Sequence, residues 1–202
     1  MTMQPLRLFS TLLLGIALAL SLTMSAGWRT YGQQTAPAGT QSAGPDIALR
    51  GQRDARDIKF GDWEKFCFKP GGAKMVCRTT ISGAFNTGQT AVRIYLTERE
   101  DDDGARLQLF LPVGLYLPAG ATLTVDQGTT YRLPFTWCLA NTCIAGDLAN
   151  PNLLRDMDAG QKLVLQVVDT NLLSVRTLLP LDRFATVHKG APARVFEQDI
   201  DE

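Results

Sequence analysis

The sequence lacks several features that common functional classes require. It holds a single histidine, His188, which leaves little room for histidine-rich metal sites or for histidine-based catalysis. Neither a P-loop nor a G-x-G-x-x-G pattern occurs, so no motif supports nucleotide binding. The G-x-S-x-G turn that presents a nucleophilic serine is also missing, so no motif supplies a serine for a Ser-His-Asp site.

An excess of charge of either sign is absent too. The 20 basic and 20 acidic residues give a formal net charge of zero, and no long basic run occurs. Because a nucleic-acid-binding protein needs a dense basic face for phosphates, we expect no nucleic-acid partner. Charged residues make up 20% and hydrophobic residues 45% of the 202 residues, which excludes a wholly disordered chain and a multi-span membrane protein.

The N-terminus resembles a secretory signal. Arg7 is the one charged residue among the first 27, and an uncharged, largely apolar stretch follows it. Small residues at Ser25-Ala26-Gly27 predict cleavage before Trp28, so that residues 1–27 form a signal peptide. The alternative is an uncleaved membrane anchor, because the stretch reaches the roughly 20 residues that a spanning helix needs. Both readings predict an exported protein in the periplasm, at the outer membrane or on the cell surface.

The remaining chain divides by composition into three parts. Residues 28–57 are rich in Gly, Pro, Gln, Ser, Thr and Ala and predict a disordered linker, whose removal over 29–57 is expected to leave stability nearly unchanged. Residues 58–188 carry the apolar pattern and predict one folded domain. The polar residues 189–202 predict a mobile tail.

The apolar pattern of the folded part has a period close to two. Alternation at Val92-Ile94-Leu96 and at Leu107-Leu109-Leu111 is typical of half-buried strands, and Gly-, Asp- and Asn-containing turns separate such runs. One short helix is expected after Asn150, with Pro151 in its first turn and Gly160 at its end. The pattern predicts an all-β protein, a single antiparallel β-sandwich or partly open barrel with one short helix.

Four cysteines are present: Cys67, Cys77, Cys138 and Cys143. In an exported chain they favour disulfides, and local pairing closes the two shortest loops. A four-thiolate zinc site is the alternative, although only the second pair approaches the usual ligand spacing. A redox pair would have the C-x-x-C spacing, which neither pair shows.

The order of these features resembles the invasion-associated locus B (IalB) family of exported alphaproteobacterial proteins. The resemblance begins at Phe60-Gly61-Asp62-Trp63 and is most specific at residues 132–143, which read RLPFTWCLANTC. It closes at Leu179-Pro180-Leu181-Asp182-Arg183-Phe184. The resemblance implies a periplasmic or surface-exposed β domain with paired cysteines, and it brings no agreed catalytic residues. One family member is linked to entry into red blood cells in some pathogens, but the family also occurs in bacteria that invade nothing.

Three further features have a structural and a functional interpretation. The acidic run from Glu98 to Asp103 predicts a solvated hairpin tip, with a calcium site as the alternative. Trp63 and Trp137 precede cysteines and are expected to pack near the disulfides, with a platform for sugar rings as the alternative. Parity places Trp137 on the buried face of Leu133 and Phe135. His188 is expected at a mobile edge without a catalytic role.

Together these observations predict a non-enzymatic binding, adhesion or envelope-associated module without catalytic residues, cofactor or metal. Its expected partner is an unknown protein or glycan of the envelope or of a host surface. Membrane contact is expected only through the N-terminal segment, if that segment is retained. An envelope hydrolase of unknown substrate and a metal-binding module are the alternatives.

Overall fold

The computed structural model describes residues 48–55, 57–71 and 73–198. The predicted signal segment 1–27 and residues 28–47 of the predicted linker lie outside the described residues, so signal cleavage stays a prediction. In chain order the strands are β1 (Gly51–Asp54), β2 (Ile58–Phe60), β3 (Glu64–Pro70), β4 (Val76–Phe85), β5 (Thr90–Arg99), β6 (Arg106–Leu111), β7 (Ala121–Val125), β8 (Thr130–Leu133), β9 (Phe135–Cys138), β10 (Cys143–Leu148), β11 (Lys162–Val168), β12 (Leu173–Pro180) and β13 (Arg194–Gln198). The helices are α1 (Pro151–Ala159) and α2 (Phe184–Lys189), and Leu117–Ala119 form a 3₁₀ turn.

The strands form two sheets that enclose one hydrophobic core. The smaller sheet has the order β1-β12-β11-β7-β8, and the larger one β13-β3-β4-β5-β6-β10-β9, with β2 paired to β4. Leucines at alternate positions of both sheets, such as Leu107, Leu109, Leu163 and Leu165, are buried in the same cluster. The period of two therefore corresponds to inward-facing side chains. The prediction of an all-β sandwich is confirmed, and neither sheet closes into a barrel.

Two strands lie outside the range 58–188 that composition assigned to the domain. β1 pairs in parallel with β12, in the part predicted as linker, and β13 pairs in parallel with β3, in the part predicted as tail. Both segments are short, and neither shows an alternating apolar pattern: β1 is polar, and Val195 and Phe196 of β13 are adjacent. Periodicity could not reveal them, and their backbone groups pair with neighbouring strands. The domain boundaries are corrected accordingly, and the sheets are not purely antiparallel.

The two helices close one end of the sandwich. α1 begins as expected: the Asn150 side chain accepts a hydrogen bond from Asn152 N, and Pro151 occupies the first turn. Met157 of α1 and Phe184 of α2 are buried in the core. α2 is a second helix that the sequence pattern did not predict. Its six residues begin after Arg183 in a left-handed conformation without a side-chain cap, so it carries none of the usual start signals.

The four cysteines form two disulfides between directly paired residues of neighbouring strands. Cys67–Cys77 joins β3 to β4, and Cys138–Cys143 joins β9 to β10. The bridges close separations of 10 and 5 residues, which is the local pairing. Each bridge fastens a hairpin of the larger sheet.

Removing β1 is expected to destabilise the domain. Deletion of residues 29–57 takes away the β1–β12 ladder and the Asp54 partner of Arg176, and should lower the free energy of unfolding by about 1–2 kcal/mol. Deletion of residues 29–47 retains every described residue and is the control. Urea denaturation of both variants checks this, and equal midpoints would show that β1 contributes nothing.

Loss of either bridge is expected to lower stability. In the chain-entropy estimate the Cys67→Ser/Cys77→Ser variant loses about 3 kcal/mol and the Cys138→Ser/Cys143→Ser variant about 2 kcal/mol, because the first loop is longer. Thermal unfolding measures both. Intact-mass spectrometry of unreduced protein is the companion test: absence of the mass loss of four hydrogens contradicts the pairing.

Candidate binding face

The four disulfide-bonded cysteines offer no thiolate for a metal ion. The described residues contain no cluster of three or more His, Cys, Asp or Glu side chains arranged to hold one. The acidic run is spread over separate contacts. Asp101 pairs with Arg99, Asp102 accepts from Gly104 N, and the Glu100 side chain accepts from Met75 N. Glu98 points away from the others, towards His188.

His188 lies within a charged cluster at the helix-closed end of the sandwich. Its Nδ1 is 3.0 Å from Asp158 Oδ1 of α1, and its Nε2 is 3.1 Å from Glu98 Oε1 of β5. The ring stacks on Phe184, and the side chain is 11% exposed. Lys65 Nζ donates to the backbone oxygens of His188 and Gly190. The expectation of a mobile edge is therefore wrong for His188, because partners distant in sequence converge on it.

The cluster favours the charged forms of all three groups. The hydrogen bond to Glu98, aided by Asp158, raises the pKa of His188 above its ordinary value despite burial, and the same bond lowers the pKa of Glu98. For Asp158, burial would raise the pKa, but hydrogen bonds from His188 and Lys189 outweigh it and the pKa is lowered. Since both ring nitrogens face carboxylates, the imidazolium donates twice, and neither nitrogen is free to act as a base.

The two tryptophans near the cysteines have opposite environments. Trp63 is 5% exposed, packs edge-on against Phe184 with ring centroids 4.7 Å apart, and donates from Nε1 to Pro180 O. Trp137 is 61% exposed, so its predicted burial is wrong. The chain leaves the smaller sheet after Leu133 and enters the larger sheet at Phe135, and the intervening Pro134 interrupts the parity on which the prediction rested.

The outer surface of the larger sheet carries rings and guanidinium groups. Its inner positions are mostly apolar, with Lys65, Thr79 and Glu98 as exceptions, whereas alternate residues point outward in register across the strands. We name this surface the aromatic–arginine face; its members are Arg78, Arg93, Arg106, Arg194, Phe66, Phe68, Tyr95, Phe110, Trp137 and Phe196. The helices do not cover it, because α1 packs on α2 and β7, and α2 packs on α1 and β3 at the closed end. Within the described residues, no helix packs on the outward positions.

Two arginines of this face stack on neighbouring rings, and a third is held by hydrogen bonds. Arg78 Cζ lies 4.3 Å from the Tyr95 ring centroid, and Arg194 Cζ lies 5.6 Å from that of Phe196. Arg93 donates to Ser82 Oγ at 3.0 Å and to the Tyr95 hydroxyl at 3.4 Å. Cation–π contacts of this kind leave the edge of a guanidinium available for other hydrogen bonds. Arg78, Arg93 and Arg194 are therefore held in defined positions by their neighbours.

The positive charge of this face is not neutralised by carboxylates. Within the described part of the chain, Arg53, Arg99 and Arg176 form ion pairs, whereas none of the four arginines of the aromatic–arginine face does so. Glu64 lies on the same side of the sheet, and the acidic hairpin tip at 100–103 lies beyond the strand ends. The zero net charge of the chain therefore conceals a local excess of positive charge.

The aromatic–arginine face contains a shallow groove of about 550 Å³. It runs across β13, β3, β4 and β5, and its lining includes Phe68, Phe196, Arg78, Arg93 and Tyr95. Phe68 and Phe196 are 41% and 43% exposed. Sequence reasoning missed this groove because its residues are scattered over four strands, and Phe196 belongs to the segment predicted as tail. The outward alternation of Arg and aromatic residues was the available signal.

A second concavity of about 860 Å³ opens between the sheets at the end opposite the helices. Its walls are mostly apolar, including Leu111, Leu165 and Val175. Asp169 at its rim accepts hydrogen bonds from the backbone of Leu173 and Asn171, which lower its pKa, and its other oxygen faces Arg53 at 3.4 Å. This carboxylate is occupied in holding the turn before β12.

The fold and the two bridges define a disulfide-containing β-sandwich protein. The family profile of the invasion associated locus B (IalB) protein matches residues 63–192, more than half of the chain. The chain belongs to this family, as the residue pattern indicated.

A solved structure with a similar fold is the crystal structure of invasion associated protein b from Bartonella henselae. The TM-score is 0.55 at 18% sequence identity, over 64% of this chain and 90% of that one. The likeness concerns the fold. No curated protein matches this chain in sequence.

Stability is expected to depend on pH through His188. Because the pKa of His188 is raised in the folded protein, the cluster stabilises the fold fully below about pH 6.5, the pKa of an unfolded histidine. This stabilisation is lost as pH rises through the folded-state pKa of His188. The pKa values of Glu98 and Asp158 are lowered, so the stabilisation is also lost at low pH, as both carboxylates become protonated below about pH 4.

Denaturation midpoints at pH 5.5 and 8.5 measure the upper limb of this dependence. The His188→Gln variant should lose about 1–3 kcal/mol at pH 5.5 and show a flatter profile. His188 is the only histidine of the chain, so the difference in slope reports on it. A variant with the slope of the unchanged protein contradicts the assignment.

Proposed function

We propose that this protein is an exported, non-enzymatic binding module of the cell envelope that contacts its partner through the aromatic–arginine face. The observation that carries the proposal is a sheet surface that the helices leave free, with four arginines that form no ion pair among the described residues. Arg78 and Arg194 stack on neighbouring rings, and Phe68, Phe196 and Trp137 are exposed. Arginine and aromatic residues are enriched where proteins bind partners. Large exposed apolar groups gathered on one surface mark interaction sites.

The preorganisation of the face favours binding. Ring contacts at Arg78, Arg194 and Tyr95 hold the side chains in defined positions, so less rotamer freedom is lost on association. The rigid sheet beneath them fixes their spacing. An anionic partner would find guanidinium edges that no carboxylate of the described residues occupies. The face is therefore suited to an anionic surface or chain.

The charged side chains that could serve catalysis have structural tasks. Glu98 and Asp158 hold the His188 imidazolium, and their pKa values are lowered, whereas a general acid needs a raised one. In the cleft between the sheets, Asp54 pairs with Arg176, and Asp169 accepts backbone hydrogen bonds. This distribution supports the non-enzymatic reading over the hydrolase.

Export belongs to the same proposal and rests on the N-terminal sequence. Among the described residues, no helix has the length and apolar character needed to cross a bilayer. The solved relative is titled an invasion associated protein, and contact with another surface is consistent with that title. Fractionation of the source cells, with determination of the mature N-terminal residue, tests export: an intact Met1 in the cytoplasmic fraction contradicts it.

The binding experiment compares two double variants with equal changes in charge. Arg78→Gln/Arg93→Gln alters the aromatic–arginine face, whereas Arg155→Gln/Lys162→Gln removes two exposed positive charges on α1 and β11. Saturable binding of each labelled protein to isolated cell envelopes is measured. We expect the first variant to bind at least tenfold more weakly and the second to match the unchanged protein. Equal binding by both variants, or no saturable binding at all, contradicts the proposal.

A further inference from the structure

We infer that the aromatic–arginine face binds a carboxylate-bearing polysaccharide, a uronic-acid-type chain that lies in the groove and extends across the strands. This inference rests on the proposed function and names the chemistry of the partner. It follows from what each wall of the groove offers, from the breadth of the sheet and from the position of Trp137.

One wall of the groove presents rings. Phe66 and Phe196 have centroids 6.3 Å apart, and Phe68 pairs with Phe196 in the strand register. Phe68 and Phe196 are exposed, and an exposed ring presents a flat apolar surface on which the carbon–hydrogen face of a sugar ring can stack. The groove is open and shallow, so an acyl chain would remain mostly in water there. A ligand with flat, partly apolar units fits this wall.

The opposite wall presents guanidinium edges and hydroxyl groups. The Tyr95 ring covers one face of Arg78, whose Nε donates to Thr97 Oγ1 at 3.4 Å, and its terminal nitrogens have no partner among the described residues. Arg93 is held through Nε and one terminal nitrogen by Ser82 and Tyr95. The remaining N–H groups are directed donors that suit the two oxygens of a carboxylate. The hydroxyls of Ser82 and Tyr95 suit sugar hydroxyls.

The combination of exposed rings, guanidinium groups and hydroxyl groups on one sheet face discriminates among classes of anionic partner. An extended acidic peptide gains most from pairing along a sheet edge, whereas these groups lie on the face of the sheet. A lipid surface is attracted mainly by charge and needs no row of stacked rings. A uronic-acid chain brings an apolar ring face, hydroxyls and a carboxylate in every unit. The observations therefore favour it over the other two partners.

Trp137 extends the site beyond the groove. In the strand order it lies on β9 at the edge opposite β13, on the same side as Ile144 and Phe110. At about 4.8 Å per strand spacing, the face spans about 29 Å from β13 to β9, and Trp137 lies about 14 Å from the Arg93 strand. A short oligomer can fill the groove alone, and a longer one also reaches Trp137. Affinity should increase with chain length for this reason.

The test uses calorimetric titration of the unchanged protein with oligogalacturonate of defined length, at low and at physiological salt. Methyl-esterified oligogalacturonate keeps the sugar backbone and removes the charge. Polyglutamate supplies the charge without sugar rings, and phosphatidylglycerol vesicles supply an anionic lipid surface. We expect oligogalacturonate to bind at least tenfold more tightly than each of the three.

Three variants assign the contacts. Arg78→Gln/Arg93→Gln should weaken oligogalacturonate binding at least tenfold, whereas Arg155→Gln/Lys162→Gln should not change it. Trp137→Ala should weaken binding of a long oligomer and leave a short one unaffected, which distinguishes ligand contact from loss of fold. Circular dichroism and thermal unfolding establish that each variant is folded.

The outcomes separate this inference from the proposed function. Equal affinity for polyglutamate, binding to vesicles alone, or no binding to oligogalacturonate overturns the inference. If the Arg78→Gln/Arg93→Gln variant still loses envelope binding in those cases, the proposed function stands with a different partner. If envelope binding does not depend on these arginines, the proposed function fails as well.

Discussion

Burial of the inner faces of two sheets against each other is the constraint on which the rest of the structure depends. Alternate residues of β5, β6 and β11 are fully buried there, including Ile94, Leu109 and Leu163. Because side chains of a strand point alternately to its two faces, this burial sends Arg93, Tyr95 and Phe110 outward. The same alternation that builds the core thus builds the aromatic–arginine face, and a shift of one residue in register would destroy both.

The two ends of the sandwich differ in structure: one is closed by helices, and the other is open. At one end the helices bury Met157 and Phe184, and the charged cluster of His188, Glu98 and Asp158 ties α1 and α2 to β5. Charged hydrogen bonds among partly buried groups give this end a defined geometry. At the other end the sheets separate around the cleft lined by Leu165 and Val175. The polar interactions fix the closed end, and apolar packing between the sheets holds the rest.

Periodicity and compartment predict much of this fold, and their limits are physical. Local sequence patterns predict the buried strands, the helix after Asn150 and the two local disulfides. β1 and β13 could not be predicted, because a short edge strand without alternating apolar residues is specified by the backbone groups of its neighbour. The His188 cluster and the groove depend on residues from distant segments of the chain. Trp137 lies on the exposed side and not on the predicted buried side, because the chain passes from one sheet to the other at Pro134. Tertiary placement decided each of these positions.

The parallel pairing of β13 with β3 links the last described segment to one of the first strands of the domain. Arg194 and Phe196 stand beside Phe66 and Phe68, so one wall of the groove is assembled from residues far apart in the chain. Contacts of such high sequence separation form slowly, because loop-closure entropy must be overcome first. The wall is therefore complete only after nearly the whole domain has been synthesised. A nascent chain, or one shortened before β13, lacks this wall, so the groove forms only when folding is nearly complete.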